Sequence, residues 1–221
     1  AWRDGLLSAD FVVERIAVGS RHDANLIADV GQNQMWVARY GHFRRANSHL
    51  SSGGLGTMGF ALPAAMGAAI SMPTKVAWAI AGDGGFQMTL QELATIVQER
   101  IPVKIALMDN KKLGMIRQWQ EIVYGGNYHS EQLAGPDYVK LCEAYGLPAW
   151  RVGTPDDVDA AVAAALAVDG PALIWFEIAE KQNVFPMMPA GKGLSDLIDK
   201  WGDRKSTRLN SSHMSESRMP S

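Results

Sequence analysis

Five short apolar runs alternate along this chain with stretches of helical periodicity, and three of them break off at Gly, Asp or Asn. Asn25–Val30 runs into Gly31, Val76–Ala81 into Gly82-Asp83-Gly84-Gly85, and Val103–Met108 into Asp109-Asn110. Ala172–Ile178 reads as a later strand and Ala149–Val152 as a weaker one. Apolar runs without alternation belong to strands covered on both faces, and strands separated by helices lie parallel, because a parallel crossover needs that length of chain. The expected fold is α/β, a parallel sheet with helices on both faces.

The helical stretches carry their own start signals. Met88–Arg100 sets Leu90, Leu93, Ala94 and Val97 on one face, with Thr89 and Glu92 spaced as a capping box. Thr154-Pro155-Asp156-Asp157 opens a helix with Val158, Val162, Ala165 and Leu166 inward, the proline standing where its missing N–H costs nothing. Phe60–Ile70 is almost wholly small and apolar, which predicts a buried, closely packed helix. The chain opens without Met, in a helical pattern with Leu6, Leu7, Phe11 and Ile16 on one face, as though something preceded it. One domain is expected over about Leu6 to Ile178, its boundary drawn at residues 1–185, followed by a Pro-rich extension at 186–204. From Lys205 the hydrophobic period is lost, so 205–221 reads as translated adaptor or a disordered natural tail.

Composition narrows the function. The 221 residues are 47% apolar and 20% charged, enough for one sizeable domain. With 21 basic residues against 23 acidic, no field of one sign is available to hold a nucleic acid or an anionic membrane. Any anion must be caught locally. A single cysteine, Cys142, excludes a disulfide framework and a Cys-based zinc cluster and suits a reducing compartment. The apolar runs stop well short of the roughly 18–20 residues of a membrane span, and no signal-peptide pattern opens the chain. The expectation is a cytoplasmic protein, or an organellar one whose targeting segment is missing.

In an open parallel sheet ligands sit at the carboxyl ends of the strands. Gly31-Gln32-Asn33, Gly82-Asp83-Gly84-Gly85 and Asp109-Asn110 should therefore face one crevice. Glycines around an acid let main-chain N–H groups converge on an anion while the carboxylate points at a cation, and the helix after them, capped at Thr89, adds its positive end. The same tetrapeptide also serves merely to turn a strand into a helix. What favours the first reading is Asp109-Asn110, separated from Gly84 by a 24-residue spacer, whose oxygens suit a hard divalent ion. A second cluster contains G-x-G-x-x-G at Gly54, Gly56 and Gly59, but it follows Arg44–His49, which does not read as a strand, so the dinucleotide reading is rejected.

Gly82-Asp83-Gly84, the spacer and Asp109-Asn110 resemble the metal and diphosphate motif of thiamine-diphosphate-dependent enzymes. Asp29-Val30-Gly31-Gln32-Asn33-Gln34-Met35-Trp36, Ser52–Phe60, Phe86-Gln87-Met88, Gln91–Thr95, Leu113-Gly114-Met115-Ile116-Arg117-Gln118-Trp119 and Asn183–Met187 are similar, in that order, to the carboxyl-terminal domain of the acetolactate synthase (acetohydroxyacid synthase) catalytic subunit. The resemblance runs from about Leu6 to Asp203 and makes 1–185 the thiamine-diphosphate and Mg²⁺ domain.

The resemblance implies that Asp83 and Asn110 ligate Mg²⁺ by side chain and Lys112 by its carbonyl, while Gly84 and Gly85 offer N–H groups to the diphosphate. Gln32 and Asn33 would reach the diphosphate, Gly56 and Met58 the two rings, with Met58 bending the cofactor. Val30, Gly31, Leu113, Gly114 and Met115 complete the cofactor set. Met115 and Trp119 would line the substrate pocket, Trp119 being otherwise a core aromatic. The family usually has His at Asn33 and often Ser at Gly85. The implied reaction is carboligation of pyruvate with a second pyruvate or 2-oxobutyrate, towards branched-chain amino acids. The family's catalytic glutamate lies on an amino-terminal domain of a neighbouring subunit and FAD on a middle domain, so no catalytic residue is assigned in this chain. The implied assembly is a homodimer or tetramer, with a regulatory small subunit possible.

Other readings share parts of this pattern. A thiamine-dependent 2-oxo acid decarboxylase, or an oxidoreductase subunit, shares the metal motif without Met35-Trp36 and Arg117-Gln118-Trp119. A non-catalytic nucleotide-binding module would rest on Gly54, Gly56 and Gly59, and a degenerate regulatory homologue would need no intact Asp83 and Asn110. His22, His42, His49 and His129 show no ligand spacing and read as surface or hydrogen-bonded residues, His213 falls in the tail, Lys111 and Lys112 read as a solvated pair, and Cys142 as a small core residue.

Overall fold

The computed structural model describes residues 2–3, 5–189 and 191–198. The tail at 205–221, His213 included, lies outside the described residues. In chain order the elements are β1 (Trp2–Arg3), β2 (Leu6–Leu7), α1 (Ala9–Gly19), β3 (Asn25–Ala28), α2 (Gln32–Tyr40), β4 (His49–Ser51), α3 (Ala61–Ser71) and β5 (Ala77–Gly82). They continue with α4 (Asp83–Met88), α5 (Glu92–Gln98), β6 (Val103–Asp109), α6 (Gly114–Ile122), α7 (Tyr138–Tyr145), β7 (Ala149–Val152), α8 (Pro155–Ala167) and β8 (Ala172–Glu177).

Six strands form one sheet in the order β4-β3-β5-β6-β8-β7, and every pairing in it is parallel. Side chains alternate across it, so each strand feeds two cores. On one face Leu26, Trp78, Ile80, Ile174 and Phe176 meet α1, α2 and α8. On the other Ile27, Ala79, Ile105, Leu107 and Leu173 meet α3, α5 and α7. Both faces are therefore dry, as the unbroken apolar runs required. Cys142 is buried in the second core, where desolvation pushes its thiol up to about 12.

Four expectations change. Leu6 and Leu7 are not helical: they pair antiparallel with β1, and Leu7 bridges Ile178 at the end of β8, so the helix starts only at Ala9. Met88–Arg100 is not one helix. The strand end passes straight into α4, Thr89 breaks the chain, and α5 begins at Glu92 with no side-chain cap. Thr89 donates instead to the Gly59 carbonyl (3.1 Å), a tertiary bond that replaces the local box. In α3 only one face is buried, through Ala61, Leu62, Ala65, Ala68 and Ala69, while Ile70 is exposed. Finally, His49–Ser51 is a short strand, half-exposed, on the sheet edge. The objection that no strand precedes Gly54, Gly56 and Gly59 therefore fails, although that strand is not the buried one a dinucleotide fingerprint follows.

The segment after β8 packs back on the domain. Gln182 accepts from the Ala9 N–H (2.8 Å) and Val184 sits in the first core.

Candidate functional site

The chain moves outward from β3 to β4, then crosses back over β3 to β5 and continues the other way to β6. The connections leaving β3 and β5 run to opposite sides, which leaves a crevice at the carboxyl ends of these two strands. A cleft of about 230 Å³ opens there. The β3 tip contributes Val30, Gly31, Gln32 and Asn33, and the β5 tip Asp83, Gly84 and Gly85. The β6 tip supplies Asn110, Lys112, Leu113, Gly114 and Met115, and the glycine loop supplies Gly56 and Met58. Every residue expected at the cofactor or metal thus lines this one cleft. Trp119 does not: it lies one helical turn beyond Met115 on α6, half-buried, outside both the cleft lining and the two cores. Trp36, Gly82, Met108 and Ile116 line the cleft without having been singled out for it.

The most consequential residue missed is Asp29. Its buried carboxylate accepts from the N–H groups of Val30 (2.9 Å), Gly59 (3.0 Å) and Ala61 (2.9 Å), tying the β3 tip to the glycine loop and the start of α3. Gly85 packs directly on it, since a Cβ there would stand 2.2 Å from Asp29 Oδ1. In the sequence Asp29 falls within the strand Asn25–Val30 and heads the run Asp29–Trp36 that carries the resemblance, but nothing there assigns a role to its carboxylate.

Asp83 opens α4 and is buried. Burial, and then the charge of Asp109, push its carboxyl up to about 7. Asp109, lying against Asp83, accepts from Trp175 Nε1 (2.9 Å) and the Lys111 N–H (3.0 Å). A buried carboxylate with another acid beside it is a poor anion alone and a good ligand for a cation. Asn110 Oδ1 accepts from the Lys112 N–H (3.1 Å) and keeps a second lone pair. The donor set of carboxylate, amide and main-chain carbonyl is all oxygen and so fits a hard divalent ion. Among the described residues no three His, Cys, Asp or Glu converge as a metal site, so such an ion depends on amide and carbonyl oxygens.

Gln32 and Asn33 stand in the wall with their amide oxygens buried and without a partner. Both N–H bonds of Gln32 are committed, to Gln118 Oε1 (2.7 Å) and the Gln182 carbonyl (2.9 Å), while Asn33 Nδ2 donates to the Ile80 carbonyl. The donors an anion would meet at this tip are therefore main-chain N–H groups rather than the Gln32 amide.

Lys111 and Lys112 separate. Lys111 is exposed, but the Lys112 side chain is largely buried, its ammonium 3.3 Å from Glu131 and 3.7 Å from Glu180. His22 and His42 meet edge to face at 5.8 Å, a contact made by tertiary folding rather than spacing, and His49 Nδ1 lies 3.2 Å from the Leu26 carbonyl.

Comparison with known proteins agrees with this geometry. Residues 29–176 match the family described as thiamine pyrophosphate enzyme, C-terminal TPP binding domain. The chain is 47% identical over 200 residues to the acetolactate synthase large subunit of Mycobacterium tuberculosis, covering 88% of this chain and 32% of that one. It is 45% identical over 198 residues to the acetolactate synthase large subunit of Corynebacterium glutamicum (87% and 32%). The acetolactate synthase isozyme 2 large subunit of Escherichia coli is 38% identical over 193 residues (87% and 35%). The chain spans about a third of the length of these relatives.

Proposed function

This chain belongs to the thiamine pyrophosphate enzymes, as their C-terminal TPP-binding domain, and from that premise we propose that it is the cofactor-holding part of an acetolactate synthase. The observation that carries the reading is the meeting of Asp83, Asn110 and Lys112 with Gly31, Gly56 and Met58 around one cleft. Asp83, the Asn110 amide and the Lys112 carbonyl would hold Mg²⁺. The N–H groups of Gly84 and Gly85 would face the diphosphate, whose charge the ion neutralises. Met58, whose Cε lies within van der Waals reach of Gly84, and Met115, opposite Gly31, would shape the space for the rings.

Bound thiamine diphosphate supplies the carbon nucleophile and electron sink for joining two 2-oxo acids. This chain's residues orient it: Asp29 holds the glycine loop at its fixed distance from the β3 tip, and Leu113 closes on Gly84 to keep water from the headgroup. The substrates in this reading are pyruvate and a second pyruvate or 2-oxobutyrate, on the route to branched-chain amino acids. FAD on a middle domain, a partner subunit in a homodimer or tetramer, a regulatory small subunit and a cytoplasmic or organellar home belong to the same proposal and rest on the resemblance. Among the described residues no helix is long and apolar enough to cross a membrane.

The test is a titration of the chain with thiamine diphosphate, with and without Mg²⁺, against NAD. Metal-dependent affinity for the first alone is expected. Tighter binding of NAD, or binding indifferent to chelator, would return the site to the nucleotide-module reading.

A further inference from the structure

Gln118 lies on α6 one turn after Gly114, is fully buried, and has both ends of its amide engaged. Oε1 accepts from the Val184 N–H (2.9 Å) and Nε2 donates to the Val184 carbonyl (3.0 Å). Because a main chain cannot exchange its N–H for its C=O, this pair fixes which way the Gln118 amide points. Gln118 Oε1 and the Gln182 carbonyl then present two acceptors to Gln32, so Gln32 must turn its NH₂ to them, at 2.7 and 2.9 Å. Its oxygen is left facing Gly114, where a Cβ would stand 2.2 Å from it and 2.8 Å from Asn110 Nδ2. The start of α2 and the start of α6, two walls of the cleft, thus meet through the Gln32 amide packed on a glycine.

We propose that Gln118 is a positioning residue: by orienting the Gln32 amide against Gly114 it sets the approach of the two helix ends that flank Asn110, and with it the fit of the cofactor headgroup. The inference rests on the thiamine-diphosphate reading. Gln118 touches no part of the cleft itself and acts through Gln32.

The test uses the full chain, with Mg²⁺ and thiamine diphosphate as probe, read by tryptophan fluorescence beside thermal melts. Gln118→Met, close in shape but without the amide, should weaken binding about tenfold, the scale seen when a supporting hydrogen bond is removed from behind a ligand. In a Gln32→Met background the same change should weaken it no further, because coupled residues are not additive. Gln118→Glu, neutral when buried at about pH 6, can still donate to Val184 and accept from Gln32, and should stay within about threefold of the parent. Wild-type affinity in Gln118→Met, or equal losses in both backgrounds, would overturn the proposal, since a purely structural role lowers melting temperature alike in each. Should Gln118→Met not fold, Gln118→Glu decides. At about pH 6 it should bind within about threefold of the parent when Gln32 is present, and both it and the parent should lose about tenfold when Gln32 is Met; parent affinity with Met at 32 overturns the proposal. Failure of the parent chain to bind the probe sinks the cofactor reading itself, an outcome distinct from a parent that binds and a Gln118→Met that binds as well.

Discussion

Asp83 carries a burden that only a cation relieves. Its carboxyl titrates at about 7 in the fold against an ordinary 3.8, so between those values the folded chain holds a proton that the unfolded chain has lost. Stability of the metal-free chain should accordingly fall as pH rises from about 4 to about 7, the sense required when the native state binds more protons. Thermal melts in chelator should show this slope, and Asp83→Asn should flatten it. The same proton competes with the ion, so Mg²⁺-dependent cofactor affinity should drop as pH falls below about 7. Asp29 makes the opposite case, a buried carboxylate already satisfied by three main-chain donors. Asp29→Ala leaves those donors unpaired and should cost roughly 1–3 kcal/mol, with weaker cofactor binding as the glycine loop loosens. Denaturant titration and the cofactor titration check the two effects separately.

Element identity was readable where local chemistry and the fold agree. The strands before the three tips, the proline-opened α8 and the motif residues at the strand ends could all be placed from sequence, because buried parallel strands and their turns write an unmistakable pattern. The failures share a cause, namely tertiary partners overriding local ones. Thr89 prefers the Gly59 carbonyl to its own helix, and Leu6 and Leu7 give up a helical face for a bridge to Ile178. Trp119 shares a helix and, four residues on, a face with Met115, and the rise of about 6 Å between them sets it beyond the cleft lining. The buried amides of Gln118 and Gln182 were also illegible, since their partners lie 66 and 173 residues away. Where capping did follow the local rule, at α7, Asp137 accepts from the N–H groups of Val139 and Lys140 (both 3.1 Å). Asp137→Ala removes that cap and should cost about 1 kcal/mol in a denaturant titration.

At the scale of the molecule, the sheet order places three tips side by side and so assembles the proposed headgroup site from segments that start at Gly31, Asp83 and Asn110, far apart in the chain. The chain spans about a third of its relatives' length, and the resemblance sets the catalytic glutamate on a domain outside that third. The purified chain should therefore bind thiamine diphosphate with Mg²⁺ yet form no acetolactate from pyruvate; product above a no-protein control would show that the chemistry needs nothing further.

Cys142, the one sulfhydryl of the sequence, sits behind the sheet with its ionisation suppressed. Maleimides and iodoacetamides attack thiolates, so the native protein should be all but inert to them. A second cysteine engineered at the exposed Leu55, on the loop that carries Gly56 and Met58, would then take a fluorophore as a solitary handle, and loading of the cleft could be watched by a dye with no prior need to engineer the wild-type cysteine away.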